Sequence, residues 1–178
     1  MKSVMLSIQP KWIEKIVNGE KTIEVRKSAP KEVPFKAYIY ETKGATEMPW
    51  VDEDGHFIYK GRGQVIGEFI CDKVEKFVVG SLRSDDIEKP ACLSYTEMIN
   101  YFYKPEELDG NTAKFGYGWH ISDLKIYDKP KELSEFSKYG FGEPVPLKRP
   151  PQSWCYVEWE AEKALEDRRK EDDEKCQK

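Results

Sequence analysis

The sequence predicts an α+β fold, built as one domain over residues 1–157 with a charged helical tail over residues 158–178. Short runs of β-branched and aromatic residues, which are typical of strands, recur through most of the chain. Two short segments instead place their apolar residues at helical spacing. The tail holds nine acidic and six basic side chains, a pattern typical of a solvated helix. A length of 178 residues suits a single domain with a tail.

The first two predicted elements are a strand and a short helix. The apolar run from Val4 to Ile8 predicts the strand. Pro10 favours a helix start, because a proline in the first turn lacks only an N–H that would be unpaired there. The helix over residues 10–18 ends before Gly19. Its apolar stripe, which we expect in the core with the first member also bordering a pocket, consists of Trp12, Ile13, Ile16 and Val17.

Residues 21–27 predict the second strand. Side chains alternate between the two faces of a strand, so Glu24 and Arg26 share one face and the apolar residues share the other. The apolar pair that we expect in the core is Ile23 and Val25. In a regular strand Lys21 would lie on that apolar side. It can meet Glu24 only if the chain bends or bulges near Thr22.

The middle of the chain predicts further strands, a hairpin insertion and a second helix. The strands are expected at residues 35–42, at residues 65–79 with a bend at Asp72, and at residues 117–127. Residues 44–64 are predicted to be a hairpin insertion, because Asp54-Gly55 favours a tight turn. Ser94 and Glu97 form a capping box that starts a helix near residues 94–103.

The C-terminal part predicts little regular structure before the tail. One helical turn is expected over residues 133–136. Residues 140–153 are rich in Pro and Gly, and we expect Phe141 and Trp154 beside them to pack back on the domain. A charged helix is predicted to begin at Val157.

Three charged side chains of the second strand are the strongest candidates for a functional site. Lys21, Glu24 and Arg26 offer a flexible cation, a carboxylate that only accepts hydrogen bonds, and a rigid guanidinium fork. Charges on a strand with one buried side seldom lack a partner or a ligand. The set suits a polar, planar, partly anionic ligand such as a nucleotide. Two plainer interpretations stay open: a solvated strand face, or a Glu24–Arg26 pair.

Composition argues against several other classes of protein. The four cysteines are scattered and no histidine lies at ligand spacing, so we expect neither a metal site nor a cofactor. No apolar run approaches the roughly 20 residues of a membrane span, and no signal peptide is evident, so a cytoplasmic location is expected. The net charge is −4, although residues 1–43 hold nine basic and five acidic groups. A nucleic-acid site would therefore be a local groove.

The N-terminal third resembles the ASCH family. The residues that carry the resemblance are Ser7-Ile8-Gln9-Pro10-Lys11-Trp12 and then Gly19-x-Lys21-x-x-Glu24-x-Arg26, which fills every position of the family's signature. Weaker matches follow at Gly116-Tyr117-Gly118-Trp119-His120-Ile121 and Pro150-Pro151-Gln152-Ser153-Trp154. The resemblance covers most of residues 1–136 and is strongest to phage and bacterial members. It implies a PUA-like, partly open β-barrel of about five or six strands with flanking helices.

The resemblance also implies a function, namely binding of RNA or a modified nucleotide in a cleft between helix 10–18 and the barrel. Lys21 and Arg26 would take phosphate or base acceptors, and Glu24 would accept from a base edge or orient Arg26. An aromatic beside these cations would suit base stacking, which makes Trp12 and Trp119 candidates. His120 is a further candidate, although Trp119 and His120 face opposite sides of their predicted strand.

Two alternatives to binding stay open. Some small ASCH members hydrolyse acylated cytidines with the signature lysine, a threonine and a later glutamate. Lys21 matches the lysine, but Glu24 stands where the threonine is expected, and Glu68 and Glu97 are both conceivable as the later glutamate. A ribonuclease activity is also associated with the family, but this chain has no paired histidines for acid–base work. In the second alternative, the tail and the 44–64 insertion bind a partner protein.

Overall fold

The computed structural model describes residues 1–43, 50–51, 57–58, 61–81, 85–107, 113–140, 144–162 and 164. The mixed α+β class predicted from the sequence is confirmed. In chain order the elements are β1 (Ser3–Ile8), α1 (Pro10–Val17), β2 (Ile23–Arg26), β3 (Phe35–Glu41), β4 (Trp50–Val51), β5 (Phe57–Ile58), β6 (Val65–Cys71), β7 (Val74–Val78), α2 (Asp85–Ala91), α3 (Tyr95–Phe102), β8 (Phe115–His120), β9 (Ser122–Lys131), β10 (Phe136–Lys138), β11 (Val145–Pro146) and β12 (Trp154–Trp159).

Most strands form two sheets that stay open within the described residues. The larger sheet has seven strands in the order β11-β10-β12-β1-β3-β6-β9, and the smaller has three in the order β2-β8-β7. β1 lies in the middle of the larger sheet, parallel to β3 and antiparallel to β12. β4 and β5 pair antiparallel as a separate ribbon, as predicted for the insertion, while the predicted Asp54-Gly55 turn lies outside the described residues.

Strands outnumber the five or six predicted, in part because two long segments are divided between the sheets. Residues 65–79 form β6 in the larger sheet and β7 in the smaller, so the predicted bend at Asp72 is confirmed. Residues 117–127 are not one strand as predicted, since β8 ends at His120 and β9 begins at Ser122. β6 pairs with β9 and β7 pairs with β8. Both segments therefore pass from one sheet to the other at the same place, and their halves pair with each other in each sheet. The pattern of either segment alone does not predict this.

The C-terminal helix begins later than predicted. Residues 154–159 form β12, which pairs with β1 on one side and β10 on the other, and helical residues begin at Glu160. The prediction of a helix from Val157 was therefore wrong, because that residue is a fully buried member of a central strand. The predicted packing of Phe141 lies outside the described residues, whereas Trp154 does pack on the first core cluster.

Three core clusters hold the sheets and helices together. The first lies on one face of the larger sheet and takes in Ile13 and Ile16 of α1. The second joins Ile23 and Val25 of β2 to α2 and α3, which confirms the predicted strand register. The third covers the other face of the larger sheet. Among the described helices, none has both the length and the apolar character needed to cross a lipid bilayer.

Local sequence signals explain the helix ends. α1 starts with Pro10 in its first turn and is followed by Gly19 at a φ of +74°, a left-handed conformation that suits glycine. α3 starts with the predicted capping box, in which the Ser94 side chain accepts from the Glu97 N–H and Glu97 accepts from the Ser94 N–H. Residues Leu133–Glu135 form a single 3₁₀ turn, as expected.

Candidate functional site

A cleft of about 510 Å³ opens beside α1, where the resemblance to the ASCH family implies one. Its walls come from the end of β1, α1, β2, α3 and the segment that precedes β12. The volume lies within the usual range for sites that take small molecules, about 300–1,000 Å³. The cleft is therefore large enough for a nucleotide-sized ligand.

Lys21, Glu24 and Arg26 lie together at the wall of this cleft. Glu24 joins the two cations, with Oε2 3.3 Å from Lys21 Nζ and Oε1 2.9 Å from Arg26 Nη2. All three residues are at most 7% exposed, so the plain interpretation of a solvated strand face is wrong. The other plain interpretation, a Glu24–Arg26 ion pair, is correct but incomplete, because Glu24 also contacts Lys21.

Lys21 reaches Glu24 because it lies before the strand begins. β2 starts at Ile23, and the Lys21 N–H donates to the Lys15 carbonyl at the end of α1. Lys21 Nζ also donates to the Ala91 carbonyl at 2.7 Å. Ala91 is the last residue of α2, where carbonyls lack helical partners and carry the negative end of the helix dipole. The ammonium is thus held by two acceptors from different elements.

Arg26 is anchored less completely. Its Nη2 donates to the Ser7 carbonyl at 2.8 Å as well as to Glu24. Its Nε is buried and has no hydrogen-bond partner among the described residues. Tyr101 of α3 lies close by: burial raises the pKa of Tyr101, and the Arg26 guanidinium opposes that rise. A buried donor without an acceptor is uncommon in folded proteins and calls for an explanation.

Among the described residues, two aromatic side chains line the cleft. Trp12 is partly buried against the first core cluster, and the ammonium groups of Lys11, Lys15 and Lys21 lie 4.4, 5.8 and 5.3 Å from its ring centroid. Tyr101 is 39% exposed on the side of α3. Trp12 therefore has the dual role predicted from the sequence, part core and part pocket border.

Trp119 and His120 do not line the cleft. Trp119 has no exposed surface and packs edge-to-face on Phe35 and Trp154, with ring centroids 5.0 and 5.7 Å apart. It pairs with Glu24 across β2 and β8, so it supports the charged set from within the core. His120 Nε2 lies 2.6 Å from Glu75 Oε1. The structure thus brings together Lys21, Glu24, Arg26 and Trp12, but not the other two predicted site residues.

Several cleft residues went unpredicted as site residues. They are polar or aromatic side chains from three separate parts of the chain, namely Ser7, Gln9, Asn100, Tyr101, Gln152 and Ser153. Sequence signals existed for some of them, because Tyr101 lies in an aromatic-rich stretch and Gln152 lies in a segment that resembles the ASCH family. Nothing in the sequence, however, places α3 and the segment before β12 on opposite sides of one cleft.

The two glutamates considered for hydrolysis have other partners. Glu97 lines the cleft, but its carboxylate accepts from Ser94 and lies 3.8 Å from Lys11 Nζ. Glu68 accepts a hydrogen bond from Tyr127 and does not line the cleft. Within the described part of the chain, no group of three His, Cys, Asp or Glu side chains is placed to hold a metal ion.

Comparisons with known proteins agree with the resemblance noted in the sequence. The crystal structure of ASCH from Zymomonas mobilis aligns with a TM-score of 0.60 and 21% identity, over 93% of this chain and 94% of that chain. A tyrosine-to-phenylalanine mutant of the same protein aligns with a TM-score of 0.60 and 20% identity, over 94% and 98%. A serine-to-alanine mutant gives 0.60 and 20%, over 93% and 95%. At these identities the likeness concerns the fold.

The family assignment comes from the sequence itself. A search of curated proteins found no match. The model of the ASCH domain matches residues 6–117, which is more than half of the chain and includes the four predicted residues that line the cleft. The protein therefore belongs to the ASCH domain family, which is PUA-like and commonly binds RNA.

Proposed function

We propose that this protein binds RNA or a modified nucleotide in the cleft beside α1. The observation that carries the proposal is the chain of buried charges formed by Lys21, Glu24 and Arg26 at the cleft wall. Burial of three charges costs free energy that ion pairing alone does not reliably offset. A ligand that pairs with these charges would offset part of that cost. Membership of a family that commonly binds RNA supports nucleic acid as the class of ligand.

The aromatic residues support the same ligand class. Trp12 and Tyr101 offer ring surface at the cleft, and a base stacked on an aromatic side chain is worth about 1–3 kcal/mol. The net charge of the chain is −4, so a broad basic surface is not the source of affinity. Affinity is instead expected from a few cations and from stacking inside the cleft.

Hydrolysis is a weaker proposal for this site. Lys21 Nζ is already in contact with the Glu24 carboxylate and donates to the Ala91 carbonyl, so these contacts compete with any role in activating water or a hydroxyl. Glu24 also stands where the amidase members of the family are expected to have threonine. Neither the amidase nor the ribonuclease alternative has a described contact in its favour, and the same is true of a protein-interaction role.

A salt titration tests the proposal. With two or three phosphate contacts, short single-stranded RNA should bind with a log–log salt slope of about −1.4 to −2.1, since each contact contributes roughly 0.7. Arg26→Lys should weaken binding about tenfold or more, because lysine keeps the charge and loses the planar fork. Fluorescence anisotropy of a labelled RNA measures both quantities. Arg149→Lys, the same change at an exposed arginine outside the cleft, should bind like wild type.

Two results would count against the proposal. A steep salt slope, together with Arg26→Lys binding like wild type, would place binding on a diffuse charged surface. Release of the acyl group from an acylated cytidine by wild type, lost in Lys21→Ala, would replace binding with amidase activity.

A further inference from the structure

The buried end of the cleft carries more positive than negative charge. Lys21 and Arg26 are both cations, and Glu24 is the only described carboxylate in ion-pair contact with either. Each Glu24 oxygen already faces one cation, at 3.3 Å for Lys21 and 2.9 Å for Arg26. One positive charge is therefore left without an anionic partner among the described residues. A buried charge of this kind is costly unless an anion compensates it.

The same end also has hydrogen-bond donors in excess. Lysine has three N–H donors and arginine has five, and neither side chain can accept. The described acceptors for these cations are the carbonyls of Ala91 and Ser7, the carboxylate of Glu24 and the hydroxyl of Tyr101. The buried Nε of Arg26 has none. This wall therefore offers more donors than acceptors, and both oxygens of its carboxylate already contact a cation, so it favours a ligand group that supplies oxygen acceptors.

The rim of the cleft has a different chemistry. Asn100 of α3 and Gln152 before β12 are exposed carboxamides that line the cleft, and neither side chain makes a hydrogen bond with another described residue. A carboxamide offers a donor and an acceptor side by side, which is the pattern that matches the edge of a base. The rim can therefore form hydrogen bonds with the edge of a base, whereas the buried end offers donors and positive charge to an anion.

Building on the proposed function, we propose that the nucleotide binds with its phosphate at the buried end of the cleft, an orientation that we call phosphate-first. Its phosphate oxygens accept from Lys21 and Arg26 at the buried end, and its base lies toward the rim between the aromatic residues. Asn100 and Gln152 then contact the base edge and determine which base is preferred. Glu24 is a positioning residue, because each of its oxygens contacts one of the two cations. Of the two roles expected for Glu24 from the family resemblance, this supports the orienting one.

Calorimetry with four probes tests the orientation in the wild-type protein. The probes are a nucleoside, its 5′-monophosphate, its 3′-monophosphate and inorganic phosphate. At least one monophosphate should bind about tenfold or more tightly than the nucleoside, because only the phosphate supplies charge-assisted acceptors. Inorganic phosphate should bind more weakly than that monophosphate, since it lacks a base.

Variants separate the two ends of the cleft. Lys21→Met should lower monophosphate affinity about tenfold and leave nucleoside affinity nearly unchanged. Lys76→Met, the same loss of charge at an exposed lysine of β7, should change neither affinity. Asn100→Ala and Gln152→Ala should reduce discrimination between bases and preserve the advantage of the phosphate. Circular dichroism spectra report whether each variant is folded, and the wild-type comparison stands without them.

The possible failures are distinguishable. Equal affinity for nucleoside and monophosphates would overturn the phosphate-first orientation and leave nucleotide binding intact. Inorganic phosphate that binds as tightly as the monophosphate would overturn the role of the rim carboxamides. If neither RNA nor any of the four probes binds, the proposed function itself fails and the orientation fails with it.

Discussion

Two clusters of interacting side chains stand out among the described residues. One is buried and has more cations than carboxylates, whereas the other is partly exposed and has more carboxylates than cations. We call Lys21, Glu24 and Arg26 the cleft cluster. The second group, the sheet cluster, lies away from the cleft and consists of Lys36, Tyr38, Glu68, Tyr127 and Glu162. The cleft cluster has two cations for one carboxylate, whereas the sheet cluster has one cation and two phenols for two carboxylates.

Each donor side chain of the sheet cluster has a carboxylate partner. Lys36 and Tyr38 each donate to one oxygen of Glu162, and Tyr127 donates to Glu68. Burial, followed by the nearby carboxylates, raises the pKa of both tyrosines, so they stay protonated and donate. These contacts join the C-terminal helical residues to β3. A set of ion pairs therefore does not by itself identify a ligand site, and the feature that distinguishes the cleft cluster is its surplus of donors beside a cleft.

The largest expected effect is that of Glu24→Gln. The change leaves Lys21 and Arg26 buried without an anion, so the free energy of unfolding should fall by about 3–5 kcal/mol, and RNA binding should be lost with the geometry. Glu68→Gln in the sheet cluster is the matched control and should cost less, because Glu162 still faces Lys36. Urea unfolding measures both. Equal losses for the two variants would remove the distinction between the clusters.

A smaller and more selective effect is expected from Tyr38→Phe. The phenylalanine fills the same buried space but loses the hydroxyl that donates to Glu162, so stability should fall by about 1–2 kcal/mol. RNA affinity should not change, because Tyr38 does not line the cleft. Urea unfolding measures the loss of stability, and fluorescence anisotropy on the same preparation measures RNA affinity. A loss of affinity in a folded Tyr38→Phe variant would mean that the sheet cluster also serves binding.

The smallest effect concerns pH. Burial would raise the pKa of Glu162, but the hydrogen bonds from Lys36 and Tyr38 outweigh it and hold the pKa below the ordinary 4.5. Glu162 therefore stabilises the fold above about pH 4.5, and this contribution is lost as the pH falls through its lowered value in the folded state. Glu162→Gln should cost about 1 kcal/mol at pH 7, since the side chain is partly exposed.

The pH dependence itself is the check on that prediction. The stability difference between wild type and Glu162→Gln should shrink as the pH falls from 5 toward 3, which urea unfolding at several pH values measures. A difference that stays constant over this range would show that the Glu162 carboxylate gains nothing from its contacts in the fold.

Local patterns predicted the parts of the fold that local chemistry determines. The proline in the first turn of α1, the capping box of α3 and the alternation of Ile23 and Val25 were all confirmed. The bend before β2 was recognised as necessary for Lys21 to meet Glu24, and the ion pair shows that it occurs. These features depend on residues a few positions apart, so a single sequence contains the information.

Features that depend on distant parts of the chain were missed. The prediction of a charged helix from Val157 missed the second half of β12, although the sequence of that strand contains a signal. Trp154 and Tyr156 pack on one core cluster while Cys155, Val157 and Trp159 pack on another, the pattern of a strand buried on both faces. Trp119 was predicted to contact the ligand because it is an aromatic residue in a segment that resembles the ASCH family. The sequence does not show that Phe35 and Trp154 pack against it and bury it.

The most direct test of the cleft as the binding site is an NMR titration of ¹⁵N-labelled protein with short single-stranded RNA. Arg26 Nε–H and the indole N–H of Trp12 should shift, because both residues line the cleft. The indole N–H of Trp119 should shift little, since that side chain is fully buried outside the lining. Trp12→Phe and Arg26→Lys assign the signals. Shifts confined to β7 and His120, with Arg26 and Trp12 unmoved, would contradict the cleft as the site.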